Sequence, residues 1–217
     1  MTSTLCYDID ISVMKQYFPN NIELDSDIYI SDYTNFAGVA PVKGVDITNE
    51  TIDVFKEWPP LHFFNPQKVP VLVANMERNP AVNKRKDGTL CKQCECLCIS
   101  TQCKEDDIPW FALVELKCCK DEDRNISSNI DDAISKLKKH HTHLRDEKNI
   151  IVRGKFHYYW IISIPTSYRP PFMRFFFTQN SQLTLGEDFD GVQLIGDNDV
   201  LIVDGSEIKG LHKETLF

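Results

Sequence analysis

Two stretches of this chain, Cys94–Ile99 and Trp110–Lys117, are apolar enough to be buried strands, and each carries an acid where a core strand should have none. In the second stretch Glu115 and Lys117 stand two apart, so both side chains leave the same face of the pleat. Keeping a carboxylate and an ammonium on one face of a buried strand costs roughly several kcal/mol of desolvation unless something pairs with them. A divalent metal and a phosphate would do so. The clearest helix of the chain follows, over about residues 129 to 144. Ile130, Ala133, Ile134, Leu137, His141 and Leu144 recur at the i, i+3, i+4, i+7 spacing of one helix face. Ser128-Asn129-Ile130-Asp131 reads as its capping box, with Asp at the fourth position. Lys136, His140 and His143 lie along one edge of the apolar stripe. An acid on one strand and Glu-x-Lys on the next is the layout of a metal-dependent phosphodiesterase site.

Glu95, Glu115 and Lys117, with Lys136 on the helix after them, resemble the PD-(D/E)xK nuclease superfamily over about residues 85 to 165. The first acid is Glu where that pattern usually has Asp, no Pro precedes it, and Lys136 stands where the helix more usually carries Gln. The resemblance implies an α/β fold, a mixed central β-sheet flanked by helices, restriction-endonuclease-like. It implies Mg²⁺ (or Mn²⁺) held by Glu95 and Glu115, because a hard cation takes oxygen ligands. It implies Lys117 as the group that orients the attacking water and offsets charge on the phosphate, and Lys136 as a phosphate contact. The expected reaction is hydrolysis of DNA or RNA, in a phage-defence or restriction-like complex with protein partners. The alternative is a non-catalytic accessory subunit on the same fold, with a degenerate site or a surface stapled by zinc.

The chain has 217 residues, enough for one sizeable core, so one domain over 1–217 is expected. Residues 1 to about 60 are acidic and weakly periodic and read as an N-terminal extension of unknown role. Within them Thr51–Trp58 has the pattern of a short helix stopped by Pro59-Pro60. No apolar run is long enough to span a membrane, and the first residues show no basic n-region or apolar h-region, so the cytoplasm is the expected location. The net charge of −8 argues against a surface built for nonspecific nucleic-acid binding. Binding would then rest on local basic groups, with Lys84, Arg85, Lys86 and His140 as candidates. Asp87-Gly88 beside the first three is a tight-turn signal.

Five of the eight cysteines fall between Cys91 and Cys103, and Cys118 and Cys119 are adjacent. Cys91-x-x-Cys94 has zinc-knuckle spacing, but no second such pair is present. Cys94, Cys96 and Cys98 alternate as residues on one strand face would. If Glu95 faces a site, these three face the core, so core packing is expected rather than zinc. Glu77 is a further candidate ligand. Val69–Ala74 could be strand or helix, with Pro70 leaving the choice open. Phe156–Ile164 is apolar on both faces, as in a central strand covered on both sides. Val192–Ile195 and Val200–Val203 read as a hairpin around Gly196–Asp199.

Overall fold

The structure, a computed structural model, describes residues 11–32, 44–50, 60–104, 106–117, 126–164, 189 and 191–211. In chain order its elements begin with helix α1 (Ile11–Tyr17) and strands β1 (Asn21–Leu24), β2 (Ile28–Asp32), β3 (Val45–Thr48), β4 (Leu61–Phe64) and β5 (Val71–Asn75). A 3-10 turn, Met76–Arg78, leads into the short helix α2 (Pro80–Asn83). Strands β6 (Cys96–Ser100) and β7 (Trp110–Leu116), helix α3 (Ile126–Asp146) and strand β8 (His157–Ser163) follow. The chain closes with β9 (Gln193–Gly196), β10 (Asp199–Ile202) and β11 (Ile208–Gly210).

These elements form a mixed α/β architecture with two mixed sheets. The first sheet has the order β1-β5-β6-β7-β8-β9, and the second β11-β10-β4-β2-β3. In the first, β5, β6 and β7 run antiparallel, whereas β7, β8 and β9 are parallel. Parallel neighbours need a long crossover, and α3 supplies the one from β7 to β8.

The period-two alternation of the central strands feeds two cores. Phe111 and Leu113 of β7 join Ile130, Ala133, Leu137 and Leu144 of α3 and Phe18 in one core. Trp110, Ala112, Val114 and Leu116 point the other way and pack with Ile28, Ile30, Leu61 and Phe63 of the second sheet. The layers are thus α3, six-stranded sheet, five-stranded sheet. A sheet covered on both faces must be apolar on both, which is why β5, β6 and β7 are buried at every position.

Several expectations change. The central sheet is not flanked by helices on both sides, because the second sheet takes one face. The N-terminal residues are no appendage: β1 extends the first sheet, and β2 and β3 are two of the five strands of the second. The tail is no hairpin, since β9 pairs with β8 and β10 pairs with β4 and β11. The chain changes sheets at Asp197-Asn198. The Asn198 side chain accepts from the Ser163 hydroxyl (2.7 Å) and the Ile164 N–H (3.0 Å) and donates to the Ile164 carbonyl (3.1 Å), which pins the corner. Helix α3 starts at Ile126, before Ser128, so that serine is not its cap. Val71–Asn75 is strand, with Pro70 just outside it, where no ladder N–H is lost. The helix expected over Thr51–Trp58 lies outside the described residues, as do Cys118 and Cys119.

Candidate active site

Three elements deliver the candidate residues to one place. Glu115 is the sixth residue of β7, on the face shared with Phe111 and Leu113, and that face looks at α3. Lys117 follows one residue past the strand, and its N–H donates to the Ser163 carbonyl at the end of β8 (2.9 Å). Glu95 immediately precedes β6, where its N–H donates to the Val114 carbonyl (3.0 Å) and its carbonyl accepts from Met76 (2.9 Å). Lys136 comes from the middle of α3, beside the buried Leu137.

The four side chains meet around one ammonium. Lys136 Nζ donates to Glu95 Oε1 at 2.7 Å and to Glu115 Oε1 at 2.9 Å. Lys117 Nζ lies 3.2 Å from Glu115 Oε1 and donates to Asp132 Oδ2 at 2.7 Å. Glu115 is almost sealed, its side chain 1% exposed, while Lys117 and Lys136 reach the rim at 18% and 23%. Glu115 Oε2 is buried and has no hydrogen-bond partner among the described residues. Asp132 was not singled out as a site residue in the sequence. Its opposite charge one helical turn before Lys136 is the signal that could have found it.

The electrostatics follow from two buried acids set against the ammonium groups of Lys136 and Lys117. Burial, then the neighbouring Glu95, lift the Glu115 carboxyl to about 7 against the pull of Lys136 and Lys117. Glu95 is raised as well, by burial first, with Lys136 opposing and Asp32 and Glu77 adding negative potential. Burial works against the Lys136 ammonium, but Glu115 and Glu95 outweigh it and hold the lysine charged. Lys136 is held charged because its ammonium sits between two acids.

The residues present fit a divalent cation in part. Two carboxylates share one position, and one of them keeps a buried oxygen without a partner. A second positive charge there would relieve both. No third His, Cys, Asp or Glu completes a ligand cluster among the described residues.

His140 is not a nucleic-acid contact, contrary to expectation. It is fully buried behind the site, with Nδ1 accepting from the Cys94 N–H (3.1 Å) and Nε2 paired with Asn83 Oδ1 (3.1 Å). Burial, with His143 and Lys136 adding to it, lowers its pKa to about 3, so the ring is neutral. His143 is buried too, bonded through Nε2 to the Val82 carbonyl (2.8 Å). Sequence periodicity could not separate a solvated histidine edge from a buried one. Lys84, Arg85 and Lys86 are exposed and stand by the C-terminal half of α3, where Arg85 bonds Cys91 and the Cys91 thiol meets the Lys139 carbonyl. Their turn is closed by Gly88, at φ +86°, and by Asp87 Oδ1 accepting from Thr89. The Lys86 N–H reaches Glu147, just past the helix end (3.2 Å).

The cysteines do not share one face. Cys96 and Cys98 enter the core between the sheets, whereas Cys94 enters the core beneath α3. The reason is that β6 begins at Cys96, so strand parity does not extend back to Cys94. Cys91, Cys94, Cys96 and Cys98 are free thiols, and burial pushes those of Cys94, Cys96 and Cys98 up.

Comparison with known proteins gives no match, whether against family models, curated proteins or solved structures. No described helix is long and apolar enough to cross a membrane.

Proposed function

We propose that this chain is a divalent-metal-dependent phosphodiesterase acting on nucleic acid, with a restriction-endonuclease-like arrangement of its site. One observation carries the reading. Glu95, Glu115, Lys117 and Lys136 arrive from two strand ends and a helix at one partly open point, where a buried carboxylate oxygen has no partner. A buried acid left unsatisfied is costly and needs a reason.

Glu95 and Glu115 would hold Mg²⁺ or Mn²⁺, and such an ion supplies Lewis acidity toward a phosphate oxygen and a water. Lys117 does the positioning. Asp132 and Glu115 together keep its ammonium charged despite the burial that opposes it. It therefore acts as a fixed positive group that orients water and offsets charge gathering on phosphate, and not as a neutral base. Lys136 has the reach to take a phosphate oxygen.

Placement in a phage-defence or restriction-like complex, with protein partners and in the cytoplasm, belongs to the same proposal. The net charge of −8 supports delivery or retention of the nucleic acid by a partner.

The test is cleavage of single- and double-stranded DNA and RNA with Mg²⁺ or Mn²⁺, wild type beside Lys117→Ala. Metal-dependent cleavage lost in the variant supports the reading. No cleavage of any substrate by the wild type, together with no metal binding, ends it.

A second reading has its own observation. Lys136 already bridges both carboxylates, so the site is partly neutralised without a metal. This favours a non-catalytic interaction subunit carrying a degenerate site. Zinc gains no comparable support, since Cys94 points into one core and Cys96 and Cys98 into the other.

A further inference from the structure

Lys136 stands where the proposed function puts a cation. Its ammonium is 2.7 Å from Glu95 Oε1 and 2.9 Å from Glu115 Oε1, the carboxylates offered as metal ligands. An ammonium and a divalent ion cannot share that gap. Both need the same oxygens, and they repel one another.

The lysine is well placed to leave. Its helix is fixed, because Ala133, Leu137 and His140 on either side of it are buried. Its own side chain is 23% exposed and ends on a flexible four-carbon stem. The ammonium can therefore move outward by rotamer changes alone, with α3 in place. Lys117 is held differently. It touches Glu115 but is tied at 2.7 Å to Asp132, and no contact joins it to Glu95 among the described residues. Among the described residues only Lys136 bridges the two acids.

We propose that Lys136 is a displaceable stand-in for the metal, an inference that rests on the metal-dependent reading of this site. In the metal-free protein its ammonium holds Glu95 and Glu115 together as a preformed pair. A divalent ion must displace it to enter, so the helix that completes the site also gates it. The displaced lysine, now at the rim, is free to meet a phosphate. Metal occupancy and phosphate contact by Lys136 thus become two halves of one movement.

The experiment uses the metal alone. Mg²⁺ binding is measured by calorimetry for the wild type, Lys136→Met, Lys117→Met and Glu115→Gln. Lys136→Met should bind Mg²⁺ more tightly than wild type by on the order of tenfold, since it lacks the competing cation. Lys117→Met removes the same charge without opening the gap and should tighten binding by less than Lys136→Met does. If Lys136→Met binds no more tightly than wild type while Glu115→Gln abolishes binding, the metal site stands and the stand-in role is wrong. If Lys136→Met binds Mg²⁺ and the wild type does not, the stand-in role holds, and the wild type is the non-catalytic subunit. If no variant binds, both readings fall.

A measurement on the unmutated protein covers the case in which Lys136→Met does not fold. The ¹⁵N-labelled lysine ammonium of Lys136 should give a protected, hydrogen-bonded signal without metal. Saturating Mg²⁺ should abolish that protection. A signal unchanged at saturation overturns the proposal.

Discussion

The backbone N–H of Cys94 donates to Nδ1 of His140 across 3.1 Å, with both residues fully buried. The bond fixes the chain one residue before Glu95 to the helix that carries Lys136. It also sets the tautomer: Nδ1 is an acceptor, so Nε2 carries the proton and donates to Asn83 Oδ1 (3.1 Å). Asn83 in turn donates to the carbonyl of Met76 (2.9 Å), the residue whose own N–H meets the Glu95 carbonyl. The polar network behind the site is thus a frame for Glu95.

Replacing His140 by Ala should cost about 2–4 kcal/mol, because it leaves a buried N–H and a buried amide oxygen unpaired and opens a cavity. Its folded pKa of about 3 lies below the ordinary 6.5, so the folded state resists protonation. Its contribution is present above 6.5 and is lost as pH falls from there toward 3. Chemical denaturation at pH 7 and pH 5 should show the gap between wild type and His140→Ala narrowing at the lower pH. A gap that is constant with pH would mean that the ring is not held neutral.

Glu115 contributes with the opposite sign. Its folded value of about 7 lies above the ordinary 4.5, so the folded protein holds the proton more tightly than the unfolded chain. The associated stability is present below 4.5 and is lost as pH rises through 7. The size is on the order of 3 kcal/mol across that window, from ~1.4 kcal/mol per unit. Glu115→Gln cannot ionise, so it should gain on the wild type between pH 4.5 and 7.5, with its largest relative melting temperature above pH 7. A difference between the two proteins that does not vary with pH would show the carboxyl to be ordinary.

Leu137 and Lys117 separate fold from chemistry. Leu137 is fully buried in the core beneath α3, so Leu137→Ala should cost about 2–5 kcal/mol. Lys117 sits at the rim, paired with Asp132, and Lys117→Ala should leave the melting temperature within a few degrees while removing metal-dependent cleavage. Thermal melts beside a cleavage assay check the pair. Equal destabilisation by both changes would make Lys117 a structural residue.

What the sequence displayed and what it hid divide along a physical line. The helix stripe from Ile130 to Leu144 and the parity of Glu115 with Lys117 are local periodicities, and they suffice to bring Lys136 over β7. The second sheet was hidden, because its strands come from segments as far apart as Ile28–Asp32 and Asp199–Ile202, each too short to announce a partner. The corner at Asn198 was hidden for a related reason. Two apolar runs around a polar turn look alike whether they fold back on one another or change sheets, and here bonds to Ser163 and Ile164 decide. Cys94 was misplaced by extending strand parity two residues past the true start of β6. Local periodicity cannot place His140, because its partners, Cys94 and Asn83, lie 46 and 57 residues away.

The turn carrying Lys84, Arg85 and Lys86 offers the last prediction. Lys86 is tied to Glu147, eleven residues beyond Lys136, which is about 16 Å along a helix at ~1.5 Å per residue. At that distance Lys86 stands away from the reacting phosphate, and the turn can hold the same strand several phosphates along it. Changing all three to Ala should weaken binding of a long duplex and lower the slope of log affinity against log salt by up to about 2.7, at ~0.9 per lost phosphate contact. The rate of cleavage at saturating substrate should be unchanged, and a short oligonucleotide that ends before the turn should not register the substitution. Binding of both lengths measured over a salt series checks this. An unaltered slope on the long duplex would remove the turn from the nucleic-acid path and leave it as solvated charge at the end of α3.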